Sequence, residues 1–556
     1  MTPIPAVTAE RLAKTLTAGI GQLPMRKGIP FSRPPVLIIA LLALLLPLLA
    51  APPAVAAPAI APPAASAAIT WTPCAENSAV ECGTLTLPVD WNAPTGETFE
   101  LALARRKATD PAARIGSLVV NPGGPGSSGV RAVLEETFGF TSEITSRFDI
   151  VGFDPRGVGR SHPILCSVAL AGQAPEAIMR SQADFDRWLA YNEQVRQDCR
   201  ARTGPLFDHV DTGSVVRDLD VLRAALGDDK LTYYGLSYGT LIGQQYAERF
   251  PHRVRALALD SNADHSLGTT AFLRSVAWTA QDSFDEFVTW CAKDTACAQH
   301  GQDVRAFWGN LRARADRGEL HVPGQPDTPL PRMVLENEVI GAFYGPYWKE
   351  LAEVLVAIDT GAATPQLMSA APAQAEETYN NTVQIMCQDF HLPIRDYREY
   401  SSHLRTTAKI APDMRYGPRA MLLTVNCLGQ PTPIPNPQRR LHVDATPTLL
   451  LVNALHDPAT GYPWAVSAAR QIGREARLLT YEGWGHHIYG RGECVTSAFD
   501  RYLVSLIVPA KGARCAAVPP DQASSPQARP LPTGPLPGLP GWTFTPAKAE
   551  ATRSVS

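Results

Sequence analysis

The sequence predicts an α/β fold: a mostly parallel sheet flanked by helices, interrupted by an inserted and mainly helical cap. Three observations carry this. Short apolar runs alternate with helical spacing between about residues 100 and 260. The same alternation resumes near Thr448. Over roughly 265–440 the chain instead turns to helical patterns rich in Trp and Tyr, with Pro-rich breaks such as Pro431–Pro437.

The candidate strands, in order, are Phe99–Ala104, Ser117–Asn121, Ile150–Phe153, Leu231–Tyr234 and Val254–Asp260. The last four are short apolar runs of the kind that parallel sheets bury on both faces. A smaller insert is expected around 163–210. After the fourth strand, Leu241, Ile242, Tyr246 and Phe250 recur as one face of a helix, and Pro251 stops it. The second block offers strands at Thr448–Asn453 and Ala476–Tyr481, then a helix from Cys494 to Leu506. The expected organisation is a signal peptide (1–56), a leader (57–80), the first part of the core (81–264), the cap (265–440), the rest of the core (441–510) and a Pro-rich tail (511–556). Such a cap covers the C-terminal edge of the sheet, where ligands bind in open α/β folds.

Composition agrees with this plan. At 556 residues, 45% hydrophobic and 19% charged, the chain suits one or two domains with a large core. Its formal charge is −3, while residues 1–56 carry five Lys or Arg against one acid, so the remainder is near −7. That balance favours neither nucleic acid nor an anionic membrane as a partner. Basic residues up to Arg33 precede an apolar run, Val36–Ala50, and then Ala54-Val55-Ala56, the pattern of a cleaved export signal. The run is broken by Pro47 and short for a bilayer core of roughly 30 Å, so no stable membrane anchor is expected. The expected location is secreted, periplasmic or in the cell envelope. Ten cysteines in an exported chain point to disulfides, with pairing of sequence neighbours the simplest arrangement and the connectivity open. No C-x-x-C or H-E-x-x-H occurs, and no metal or other cofactor is expected.

Gly235-Leu236-Ser237-Tyr238-Gly239 lies between an expected strand and an expected helix. A G-x-S-x-G in that setting is the nucleophile elbow of α/β-hydrolases, a turn that lifts the serine hydroxyl into a cleft. A serine nucleophile needs a base, and the base needs an orienting acid. In this fold they follow in the order serine, acid, histidine. Asp457 follows the strand Thr448–Asn453, and His486 follows the strand ending at Tyr481. Asp260, also at a strand end, competes as the acid, and His487 competes as the base. Gly485 leaves room beside His486 and favours it. Asp457 before Pro458 also reads as an ordinary turn start.

Asn121-Pro122-Gly123-Gly124-Pro125-Gly126-Ser127-Ser128-Gly129 follows the second strand and contains a G-x-G-x-x-G match. Two prolines remove backbone donors that a pyrophosphate would need, which argues against a dinucleotide. An oxyanion hole needs one donor from this loop, which Gly123 or Gly124 can bring close because neither has a Cβ, with Gly124 preferred, and one from Tyr238 after the nucleophile.

Asn121–Gly126, Asp154–Ser161 and Gly235–Thr240 together resemble the prolyl-aminopeptidase branch of the α/β-hydrolases, and within it the secreted tripeptidyl aminopeptidases of bacteria. Asp457–Thr460, Gly485-His486, Ile385–Asp389 and Tyr344 with Trp348 are similar to further motifs of that group, so the resemblance spans about 70–510. His487 stands where a small residue is more usual in the family. The resemblance implies an α/β-hydrolase fold with a helical cap and hydrolysis of peptides from a free N-terminus, releasing short fragments. Ser237 would attack, His486 would move the proton and Asp457 would hold the imidazole. An exopeptidase also needs an anion for the substrate ammonium, and Glu135, Glu136 and Asp389 are the candidates. Asp154 and Arg156 are expected to brace the oxyanion loop through a local ion pair. A carboxylesterase or lipase using the same triad is the alternative, and a catalytically silent binding protein is a further rival.

Overall fold

The computed structural model describes residues 69–362 and 377–520. The expected signal peptide, most of the expected leader and most of the Pro-rich segment 511–556 lie outside the described residues. Ten strands form one sheet. Across it they run Thr72–Pro73, Glu81–Pro88, Thr98–Arg106, Phe148–Phe153, Gly116–Asn121, Leu231–Leu236, Val254–Asp260, Leu449–His456, Ala476–Trp484 and Arg514–Cys515. The first three pairings are antiparallel and every later one is parallel. The parallel strands at the centre are buried along their whole length, as in Gly116–Asn121 and Leu231–Leu236, which explains their unbroken apolar sequence.

All seven expected strands are present, most of them longer by a few residues than the sequence alone delimits. The ordered fold also begins before residue 81 and continues past 510. Thr72–Pro73 pairs with Glu81 and Cys82, and Arg514–Cys515 pairs with Thr480 and Tyr481. Two-residue edge strands carry no periodicity to read. Disulfides Cys74–Cys82 and Cys494–Cys515 fasten both of them. The other three bridges are Cys166–Cys199, Cys291–Cys297 and Cys387–Cys427, so each cysteine pairs with its sequence neighbour.

The segment 265–440 contributes seven helices among the described residues, from Thr269–Lys293 to Pro418–Asn426. Phe284, Phe287, Trp308, Phe343 and Trp348 build a separate aromatic core within it. Helices Val383–Asp389 and Pro418–Asn426 are joined by Cys387–Cys427. The smaller insert pairs with the larger one, since Leu165–Ser167 forms a ladder with Thr378–Asn380. Strand order reverses between Gly116–Asn121, whose other neighbour is Phe148–Phe153, and Leu231–Leu236. A crevice opens at the C-terminal ends of strands flanking such a reversal. Asn121 and Leu236 are those ends.

Candidate active site

Ser237 follows the strand Leu231–Leu236 and caps the helix Tyr238–Arg249, with φ 58° and ψ −120°. This is a strained conformation for a residue with a Cβ, and the surroundings enforce it. Ser237 N–H donates to Asp260 O at 2.9 Å, and Ser237 O accepts from Thr240 N at 2.9 Å. A Cβ at Gly239 would stand 2.7 Å from Asn121 O, so the glycine lets the helix start close against the neighbouring strand end.

The glycine-rich loop lies directly over this turn. Gly123 has φ 86°, and a Cβ there would stand 2.3 Å from Leu236 O and 2.9 Å from Tyr238 N. Its own N–H is spent on Asn121 Oδ1 at 2.9 Å. Gly124 lines the same cavity as Ser237 and Tyr238. That cavity has a volume of about 180 Å³ and lies between the sheet edge and the helical segment.

Asp457 and His486 come together on loops after two adjacent strands. His486 Nδ1 lies 3.1 Å from Oδ1 and 3.1 Å from Oδ2 of Asp457, with both side chains buried. The contact fits an Nδ1–H donor and leaves Nε2 as the basic nitrogen. Asp457 also starts a turn, accepting from Ala459 N at 2.8 Å and Thr460 N at 2.9 Å. The turn and the imidazole contact therefore coexist. Thr460, to which the sequence assigns no role of its own, donates its hydroxyl to Asp457 Oδ2 at 3.0 Å and lies 3.4 Å from His486 Nδ1. Pro458, Ala459 and Thr460 line the cavity with Ser237.

Asp260 and His487, the competing acid and base, serve the scaffold instead. Asp260 accepts from Ile488 N, Tyr489 N and the Tyr234 hydroxyl, and so holds the loop that carries His486. His487 points into the core edge-on to Phe138, at 6.1 Å between ring centroids, and burial pushes its pKa down to about 4. Two residues whose part the sequence does not reveal also shape this loop. Tyr344 meets the His486 ring edge-on at 4.9 Å, and its carbonyl accepts the His486 backbone N–H at 2.9 Å. Buried Arg491 donates to Tyr344 O at 2.8 Å and His487 O at 2.7 Å. Neither role follows from a local motif, because the Tyr344 contacts join distant segments.

The three expected ammonium ligands are not brought into the cavity. Glu135 and Glu136 are surface residues, facing Arg131 and Arg106. Asp389 is sealed beneath the elbow, where it accepts from Thr212 N at 2.9 Å, Thr212 Oγ1 at 2.6 Å, Asn436 Nδ2 at 2.6 Å and the Tyr238 hydroxyl. Burial first, then the Asp211 carboxylate, raise its pKa to about 7 against those donors. The expected Asp154–Arg156 ion pair is replaced by two separate contacts. Asp154 accepts from Ser128 Oγ at 2.6 Å, Val130 N at 3.1 Å and Arg160 N at 2.8 Å, which anchors the end of the glycine loop. Arg156 makes a fully buried bidentate pair with Asp218, at 2.7 and 2.6 Å. The loop's anchor is therefore a carboxylate gathering neutral donors, and the arginine serves a neighbouring helix.

Among the described residues no group of His, Cys, Asp and Glu is arranged to hold a metal ion. No described helix is long and apolar enough to cross a membrane.

A family model described as alpha/beta hydrolase fold matches residues 116–492, and the chain belongs to that family. It is 35% identical over 483 residues to the serine protease Hip1 of Mycobacterium tuberculosis, covering 80% of this chain and 91% of that protein. It is 31% identical over 483 residues to a tripeptidyl aminopeptidase of Streptomyces lividans, covering 81% and 87%. It is also 31% identical over 490 residues to a carboxylesterase B of M. tuberculosis, covering 80% and 90%.

Proposed function

We propose that this α/β-hydrolase is an exported serine exopeptidase that cleaves peptides from a free N-terminus, releasing tripeptides. The observation that carries the reading is the buried Asp457–His486 pair, whose acid starts a loop with Pro458, Ala459 and Thr460 lining the cavity onto which Ser237 opens. Similarity to a serine protease and to a tripeptidyl aminopeptidase supports the substrate class. Five disulfides support folding in an oxidising compartment.

In this mechanism Ser237 Oγ attacks the scissile carbonyl while His486 Nε2 takes its proton. Asp457 holds the Nδ1–H and stabilises the imidazolium. The N–H groups of Gly124 and Tyr238 receive the developing oxyanion. His486 then returns the proton to the leaving amine as the C–N bond breaks. Water, deprotonated by the same histidine, releases the acyl group and regenerates Ser237.

A second reading, a carboxylesterase with the same triad, is favoured by one feature of the cavity. No carboxylate lines it among the described residues, so no acid there is placed to take an ammonium. Matched peptides with free or acetylated N-termini, their products identified by mass, separate the two. Release of tripeptides from free peptides alone supports the exopeptidase. Ester hydrolysis without any peptide cleavage replaces it with the esterase.

A further inference from the structure

Arg419 is the one charged side chain among the described residues that line the cavity. It sits in the first turn of the helix Pro418–Asn426 and is half-buried. Its Nε donates to Asn337 Oδ1 at 3.0 Å, and its guanidinium carbon lies 4.6 Å from the centroid of the Tyr344 ring. The same tyrosine ring meets His486 at 4.9 Å. The guanidinium is thus held against a ring that also packs on the proposed base. Nearby buried Glu336 is spent elsewhere, on Arg312, Arg332 and the Tyr416 hydroxyl. Among the described residues Arg419 has no carboxylate partner.

Much of the wall around it is apolar, including Phe272, Val276, Ile340, Met386 and Leu423. A cation held in such surroundings without a counter-charge is under-compensated, and a guanidinium offers a planar fork suited to a carboxylate. An ammonium entering the cavity would meet this positive charge and no negative one.

We infer that Arg419 is a specificity determinant that binds a carboxylate of the substrate, such as an acidic side chain, next to the bond being cleaved. This rests on Ser237 being the nucleophile, and it holds whether the bond is an amide or an ester. The carboxylate belongs either to the acyl part or to the leaving group.

The test compares 4-nitrophenyl hemisuccinate, hemiglutarate and hemiadipate with the methyl-capped acyl esters of equal length. A parallel arm compares valerate esters of 4-nitrophenol and of its ring-carboxylated analogue. For at least one pair, Arg419→Ala should lower the anionic-to-neutral ratio of kcat/KM tenfold or more, and Arg419→Lys should restore part of it. The responding arm shows which side of the bond carries the charge. A ratio that stays within twofold in every pair overturns the inference while leaving Ser237 untouched. Binding provides a readout that needs no turnover. On a Ser237→Ala background, calorimetry with the monopropylamide of glutaric acid and with N-propylvaleramide should show tighter binding of the anion, lost on adding Arg419→Ala. Equal binding of the two overturns the inference, whereas ester hydrolysis surviving in Ser237→Ala overturns the nucleophile assignment instead.

Discussion

His486 Nδ1 lies equidistant from the two carboxylate oxygens of Asp457, at 3.1 Å from each, in a buried setting where the acid also closes a turn through Ala459 N. One carboxylate thus fixes both the shape of its own loop and the tautomer of the imidazole. An asparagine in its place keeps the size but offers an N–H where the ring also presents one. Asp457→Asn should lower kcat by about 10³-fold or more, with far-ultraviolet circular dichroism unchanged. Steady-state kinetics on any accepted substrate checks this.

Thr460 touches both members of that pair, and its hydroxyl occupies lone-pair capacity that Asp457 would otherwise leave unfilled. Thr460→Val removes the donor and keeps the shape, and about a tenfold fall in kcat is expected, from a lost hydrogen bond to a charged group. Thr460→Ser should recover most of the loss. Equal activity of the valine and serine variants would assign the hydroxyl no part in orienting the acid.

The pH dependence of stability has a defined contribution from His487. Its pKa is about 4 in the folded protein against an ordinary value near 6.5, because burial disfavours the charged ring. Between those values the unfolded chain binds a proton that the folded one refuses. Stability from this group is therefore present above pH 6.5 and is lost as pH falls toward 4. His487→Asn removes the titration and tolerates the left-handed backbone at this position, where φ is 72°. Denaturant unfolding of both proteins from pH 8 to 4 should show the variant gaining on the wild type below pH 6.5, by up to about 3 kcal/mol. A constant difference across the range would contradict it.

Arg156 and Asp218 are both fully buried, and the acid additionally accepts from Trp91 Nε1 at 2.9 Å. Removing one partner strands a charge in the interior. Asp218→Ala should destabilise the fold by about 3–5 kcal/mol, measured by urea unfolding, whereas an exposed pair such as Arg317–Glu319 should be nearly silent to the same treatment.

These contacts mark the boundary of what the chain reveals before it is folded. The buried parallel strands are legible because a strand covered on both faces must be continuously apolar, as Leu231–Leu236 is. The placement of Ser237, Asp457 and His486 is legible because fold topology sets such positions in fixed order after particular strands. The ammonium ligands are not. Asp389 carries no local mark distinguishing a carboxylate that faces a cleft from one roofed by Tyr238, Thr212 and Asn436, which come from three separate segments. The Arg156 partner escapes the sequence for the same reason: Asp154 is near in sequence, but Asp218 is near in space. The contacts of Thr460 become visible only when the loops after two strands meet, and those of Tyr344 and Arg419 only when the helical segment is laid beside them.

Every step proposed for the site depends on Ser237 being the nucleophile of a working triad. Wild-type protein and the Ser237→Ala variant, each shown to be folded, should be treated with a fluorophosphonate and weighed intact. One adduct is expected on the wild type, mapped to the peptide containing Ser237, and none on the variant, together with loss of hydrolysis by several powers of ten. Labelling or hydrolysis that persists in Ser237→Ala would contradict it.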